Sequence, residues 1–205
     1  MTQFIYNGKK SSELTFAFAH GAGAGMDTPF METFAEGIAD EGFRVARFEF
    51  PYMATIRDTG KRRAPDRAPK LIACWQEVIE ELSGKGKLVI GGKSMGGRIA
   101  SLVADEAEVD GLVCLGYPFH PVGKPDKLRT EHLEKLKTKT LIVQGERDGF
   151  GKVEEVEGYA LSRKIKIAWL PDGDHSFKPR KSSGHTLEGN WEQGVEQTVK
   201  FLKKL

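Results

Sequence analysis

The chain reads as an α/β protein with a mostly parallel central sheet and helices on both faces, and two features lead there. Short apolar runs alternate with amphipathic stretches from end to end, as expected when each buried strand is followed by a covering helix. Two of these runs pass directly into glycine-bearing turns. Phe16-Ala17-Phe18-Ala19 leads into His20-Gly21-Ala22-Gly23-Ala24-Gly25, and Leu88-Val89-Ile90 leads into Gly92-Lys93-Ser94-Met95-Gly96.

Taken in order, a short edge strand is expected near Phe4 to Tyr6, then a buried strand from Leu14 to Ala19 and a helix from Pro29 to Glu41. A strand follows from Arg44 to Phe50. Arg57 to Lys70, rich in Arg, Lys and Pro, fits a long loop. From Pro69 to Leu82, the residues Leu71, Ile72, Trp75, Val78, Ile79 and Leu82 recur at helical spacing and form one apolar face, which is core. Lys87 to Gly91 is the strand before the serine turn, and Met95 to Ala104 the helix after it. Strands then follow at Gly111 to Gly116 and Thr140 to Gly145, and a helix at Val153 to Leu161. Lys164 to Leu170 alternates polar and apolar residues, the period of a strand, and Leu187 to Lys204 closes the chain as a helix. Tyr117 to Lys139 has room only for a short connection, so no large lid is expected.

Composition bounds the rest. With 205 residues, 39 % of them hydrophobic and 29 % charged, one domain over 1–205 can bury a core without disulfides or metal. A net charge of +2 is too small to argue for nucleic acid as a partner. Cys74 and Cys114 lie on separate elements without a C-x-x-C spacing, so both read as buried thiols of a reducing compartment. The amino terminus lacks a basic region followed by an apolar one, and no run is long enough to span a bilayer. A cytoplasmic protein without membrane association is the expectation.

Ser94 stands on a strand-to-helix turn, a place that exposes a hydroxyl at the top of a sheet. A serine hydroxyl is almost never ionised near neutral pH, so a base must take its proton during attack. His175, in the loop Pro171-Asp172-Gly173-Asp174-His175-Ser176-Phe177 after the last strand, is the candidate. Asp148, in the turn after Leu141-Ile142-Val143-Gln144-Gly145, is the candidate acid to orient it. Asp172 and Asp174 share the histidine's own tight turn and read as turn formers. The oxyanion of acyl transfer needs two preplaced donors, and these are assigned to the backbone N–H groups of Met95 and Ala22. His20 braces its own loop, while His120, His132 and His185 lack the clustered partners of a metal site. No metal or cofactor is called for. Arg62 and Arg63, in the basic loop, are candidates for holding an anionic group on a substrate, with a solvated surface loop as the plainer reading.

Across nearly its whole length the chain resembles the α/β-hydrolase superfamily, through H-G-A-G at His20 to Gly23, G-K-S-M-G at Gly92 to Gly96, G-E-R-D at Gly145 to Asp148 and G-D-H-S-F at Gly173 to Phe177. The order Ser, Asp, His along the chain is that of this fold. It looks most similar to a small lidless family of bacterial proteins and animal relatives, among them a testis-expressed protein and a subunit of the NSL histone acetyltransferase complex. Met26 to Met31 and Phe48 to Met53 carry that closer likeness. The resemblance implies a serine hydrolase acting through Ser94, Asp148 and His175, and names no substrate. An open site suits small esters, thioesters or lactones, or an exposed acyl group on a larger molecule.

Rival readings are weaker. A phosphate-binding P-loop needs a glycine where Lys87 stands, and a dinucleotide fingerprint fails at Met26 or Thr28. A noncatalytic interaction protein on the same fold, or a serine peptidase, stands as the alternative to an esterase.

Overall fold

A computed structural model describes residues 2–84 and 86–205. Seven strands form one sheet in the order β1-β3-β2-β4-β5-β6-β7. They are β1 (Phe4–Asn7), β2 (Leu14–Ala19), β3 (Arg44–Phe48), β4 (Lys87–Lys93), β5 (Gly111–Leu115), β6 (Thr140–Gly145) and β7 (Ile165–Leu170). Among the described residues only β1 runs antiparallel, against β3; the other pairings are parallel. The helices are α1 (Pro29–Asp40), α2 (Pro51–Thr59), α3 (Ala68–Leu82), α4 (Met95–Val103), α5 (Val153–Val156) and α6 (Leu187–Leu202).

Strand periodicity divides the core in two. Phe16, Phe18, Val89, Val113, Val143 and Leu170 point to one face, against Phe34 and Ile38 of α1 and Val199 and Leu202 of α6. Ala17, Ala19, Ile90, Cys114 and Ile142 point to the other, against Trp75 and Val78 of α3 and Ile99 and Val103 of α4. β2, β3, β5 and β6 are buried at every position, which is why their sequences read as continuous apolar runs. The stripe on α3 is core, with Trp75 wholly buried. Both cysteines are free and buried.

The small residues on the second face let α4 approach closely. A methyl group built at Gly97 would stand 2.6 Å from the Gly92 carbonyl oxygen, and one at Gly96 would stand 2.6 Å from that of His20. The helix that begins beside Ser94 is therefore seated directly on the strand ends.

Several boundaries differ from the sequence reading, and β4 runs on past Gly91 to Lys93. Pro51–Thr59 is helical, so Arg57 belongs to α2, Lys70 belongs to α3, and the basic loop shrinks to 60–67. α2 starts with Pro51, whose fixed φ suits a first helical turn, and stops at Gly60 in the left-handed region (φ 67°). Its inward residues, Tyr52 and Met53, are adjacent and give little helical period to read. β3 ends at Phe48 because Glu49 and Phe50 turn away to start α2, and α5 keeps only four residues before Gly158. The connection 117–139 contains a single 3-10 turn, Leu133–Lys135. There is no lid.

Candidate active site

Parallel strands place the loops at their carboxyl ends on one rim of the sheet, and the three sequence-selected side chains meet there. Ser94, between β4 and α4, has φ 50° and ψ −114°, a backbone conformation rare for a residue with a side chain. Its N–H donates to the Leu115 carbonyl at 2.9 Å, which fixes the turn to β5. Strain of this kind persists only where the surroundings enforce it; here the close seating of α4 does so.

His175 Nδ1 lies 2.7 Å from Asp148 Oδ2, and Nε2 lies 2.8 Å from Ser94 Oγ. An ionised carboxylate only accepts, so Nδ1 carries the proton and Nε2 receives the serine hydroxyl. That tautomer is the one a base needs. Phe150 packs on the imidazole, ring centroids 4.4 Å apart, and limits its swing.

Asp148 is fully buried, yet its oxygens are satisfied. Oδ1 accepts from the Phe150 N–H at 2.9 Å, and Oδ2 accepts from Gln144 Nε2 at 2.9 Å as well as from His175. Gln144 is itself wholly buried at the end of β6. Its Oε1 accepts from the Tyr117 N–H at 2.7 Å, and its Nε2 also faces the Tyr117 and Gly151 carbonyls at 3.2 and 3.3 Å. Sequence reasoning passed over Gln144. A lone amide in the buried run Leu141-Ile142-Val143 was the available signal, since a buried polar group must be paired.

The His175 loop is tied down from several sides. Asp174 Oδ1 accepts from the N–H groups of Ser176 and Lys178, and Asp172 is held by Arg180 and Arg147, so both act as turn formers. The Arg180 hydrogen bond holds the Asp172 carboxyl down, at about 2. Asn190, buried on α6, donates to the Pro171 and Phe177 carbonyls at 3.0 and 2.8 Å.

The loop 20–25 lies against the serine. A methyl at Gly21 would be 3.6 Å from Ser94 Cβ. His20 Nε2 accepts from the Phe50 N–H at 3.1 Å, so its proton sits on Nδ1, which donates to the Gly21 carbonyl at 2.6 Å. Burial lowers its basicity and keeps it in this neutral, bracing form. Tyr52 O–H donates to the Ala22 carbonyl at 3.0 Å. Ala22 is exposed in this loop, and Met95 is the first residue of α4, where N–H groups have no partner within the helix.

A second serine–histidine contact shows what the site is not. Ser101 Oγ lies 2.8 Å from His132 Nε2, but Ser101 is 2 % exposed and donates to the Arg98 carbonyl. No substrate can reach it.

Arg57 is engaged by Glu49 and Asp27, and Arg63 lies 3.3 Å from Asp66. Arg62 is exposed. Among the described residues no hydrogen bond joins Arg62 or Arg63 to Ser94, Asp148 or His175. The clefts of about 480 and 640 Å³ lie along β7 and α6 and between α1 and α6, lined by none of the three.

Residues 12–203 match the family described as Alpha/beta hydrolase domain. The chain belongs to this family. Solved structures share the hydrolase fold at low identity. A serine hydrolase homologue from Coxiella burnetii superposes with a TM-score of 0.70 at 18 % identity, covering 97 % of this chain and 89 % of its own. A Xanthomonas campestris protein described as an α/β serine hydrolase without lid gives 0.71 at 15 %, covering 98 % and 93 %. Est1E from Butyrivibrio proteoclasticus, solved with ferulic acid bound, gives 0.71 at 15 %, covering 99 % and 94 %. In this hydrolase domain, no helix among the described residues is long and apolar enough to cross a membrane.

Proposed function

We propose that the protein is a serine hydrolase that cleaves carboxylic esters, thioesters or lactones of small or exposed acyl substrates through an acyl-enzyme intermediate. One observation carries this reading. The hydroxyl, imidazole and carboxylate of Ser94, His175 and Asp148 form an unbroken hydrogen-bonded chain at 2.8 and 2.7 Å on an open rim.

Ser94 Oγ attacks the acyl carbon as His175 Nε2 takes its proton, and Asp148 stabilises the imidazolium that forms. The oxyanion faces the N–H groups of Ala22 and Met95. His175 then protonates the departing alkoxide or thiolate, and a water deprotonated by the same nitrogen releases the acid. His175 is partly exposed, its side chain 26 % accessible, which leaves room for that water. The absence of a lid favours short or soluble acyl groups over long lipids, because little apolar wall is at hand. The protein resembles the lidless testis-expressed and NSL-subunit relatives more closely than hydrolases at large, and it acts in the cytoplasm.

Hydrolysis of a short p-nitrophenyl ester by the wild type and by Ser94→Ala tests it. Turnover by the wild type that is lost in the variant is expected; equal background rates in both would favour a noncatalytic binding protein. Turnover of peptide amides at a rate similar to activated esters would instead favour a peptidase.

A further inference from the structure

Lys93, beside the serine at the end of β4, does not turn its ammonium to water as lysines at strand ends ordinarily do. Its stem passes Gly21, where a built methyl would be 3.5 Å from Lys93 Cγ. Its Nζ donates to the main-chain carbonyl of His175 at 2.5 Å. The rings of Phe30 and Phe177 stand 5.5 Å from the same nitrogen. Gly116, in the left-handed region at φ 69°, makes the space: a methyl there would come 2.7 Å from Nζ and 3.4 Å from His175 Cε1. Among the described residues no carboxylate forms an ion pair with this ammonium, and burial pushes it down to about 8. A half-buried cation without a direct counter-ion is costly, and an apolar side chain would fill the same space.

We propose that Lys93 is a positioning residue: its ammonium ties the loop that carries His175 to the strand that carries Ser94, holding Nε2 within reach of Oγ. The inference rests on the serine-hydrolase reading. A hydrogen bond from a charged donor to a carbonyl is strong and directional, and this one spans the two elements whose separation sets the Ser94–His175 distance. The titratable groups facing the ammonium are Asp148 and Asp174, which attract it.

The test compares wild type with Lys93→Met, which keeps the stem and removes the donor and charge, and with Lys93→Gln, which keeps an uncharged donor. Each is assayed with a small neutral p-nitrophenyl ester and a fluorophosphonate, with far-UV circular dichroism to check the fold. In Lys93→Met, kcat is expected to fall roughly 10- to 100-fold with KM nearly unchanged, because misplacement of a catalytic group acts on the chemical step. Lys93→Gln should recover part of kcat. Unchanged kcat in a folded Lys93→Met would overturn the proposal, as would loss of the folded state in both variants. A wild type that neither turns over ester nor reacts with the probe would instead defeat the hydrolase reading.

Discussion

At the scale of single residues, the site is a set of donors and acceptors with few alternatives. Ser94→Ala and His175→Ala should each lower kcat by roughly 10⁴- to 10⁶-fold, and the double variant by little more, because the members act as a unit. A double variant additive in free energy would mean that the two residues work independently. Asp148→Asn should cost as much or somewhat less, and full activity in it would move the acid elsewhere. Gln144→Leu leaves the buried Tyr117 N–H without its acceptor and Asp148 short of a donor. A loss of about 2 to 3 kcal/mol in unfolding free energy is expected by urea titration, with a fall in kcat. Unaltered stability would show that water replaces the amide.

At the scale of elements, the strain at Ser94 is maintained by the contact of α4 with the strand ends. Gly97→Ala drives a methyl to 2.6 Å from the Gly92 carbonyl oxygen, so the helix must lift or the turn relax. We expect a destabilisation of about 1 to 3 kcal/mol together with slower labelling of Ser94 by a fluorophosphonate; slower labelling without lost stability would separate the two effects. The basic loop is judged at this scale too. Neutralising Arg62 and Arg63 should raise KM for anionic esters and spare neutral ones if they hold substrate, and equal values for both classes would remove that assignment.

Much of this was legible in the sequence. Strand limits at Leu14–Ala19 and Thr140–Gly145 were readable because both strands are buried on both faces and leave uninterrupted apolar runs. The order Ser94, Asp148, His175 was readable because each follows a strand signal, the apolar runs Leu88–Ile90 and Leu141–Val143 or the alternation of Lys164–Leu170, and parallel strands carry all such ends to one rim. α2 was not, since Tyr52 and Met53 fill one short contact and the helix has no longer apolar stripe. Nor were the supports at Gln144 and Lys93, whose roles arise from tertiary contacts: Lys93 meets the carbonyl of a residue 82 positions away.

At the scale of the whole molecule, the sheet brings strain, a buried carboxylate and a half-buried cation to one end of a core that is mainly apolar on both faces. This has a consequence for stability. The lysine titrates near 8 in the fold and at its ordinary 10.5 in the unfolded chain. Between those values the unfolded state binds more protons, so stability should rise with pH through this window. Relative to Lys93→Met, the wild type should gain on the order of 3 kcal/mol from pH 8 to 10.5, measured by denaturant unfolding. A difference that stays flat with pH would place the ammonium in water.

The most direct measurement of the central claim is mass spectrometry of the intact and digested protein after treatment with a fluorophosphonate. One adduct per chain, mapped to Ser94 and absent from Ser94→Ala and His175→Ala, is the expected result. An adduct on another residue, or none on folded wild-type protein, would contradict it.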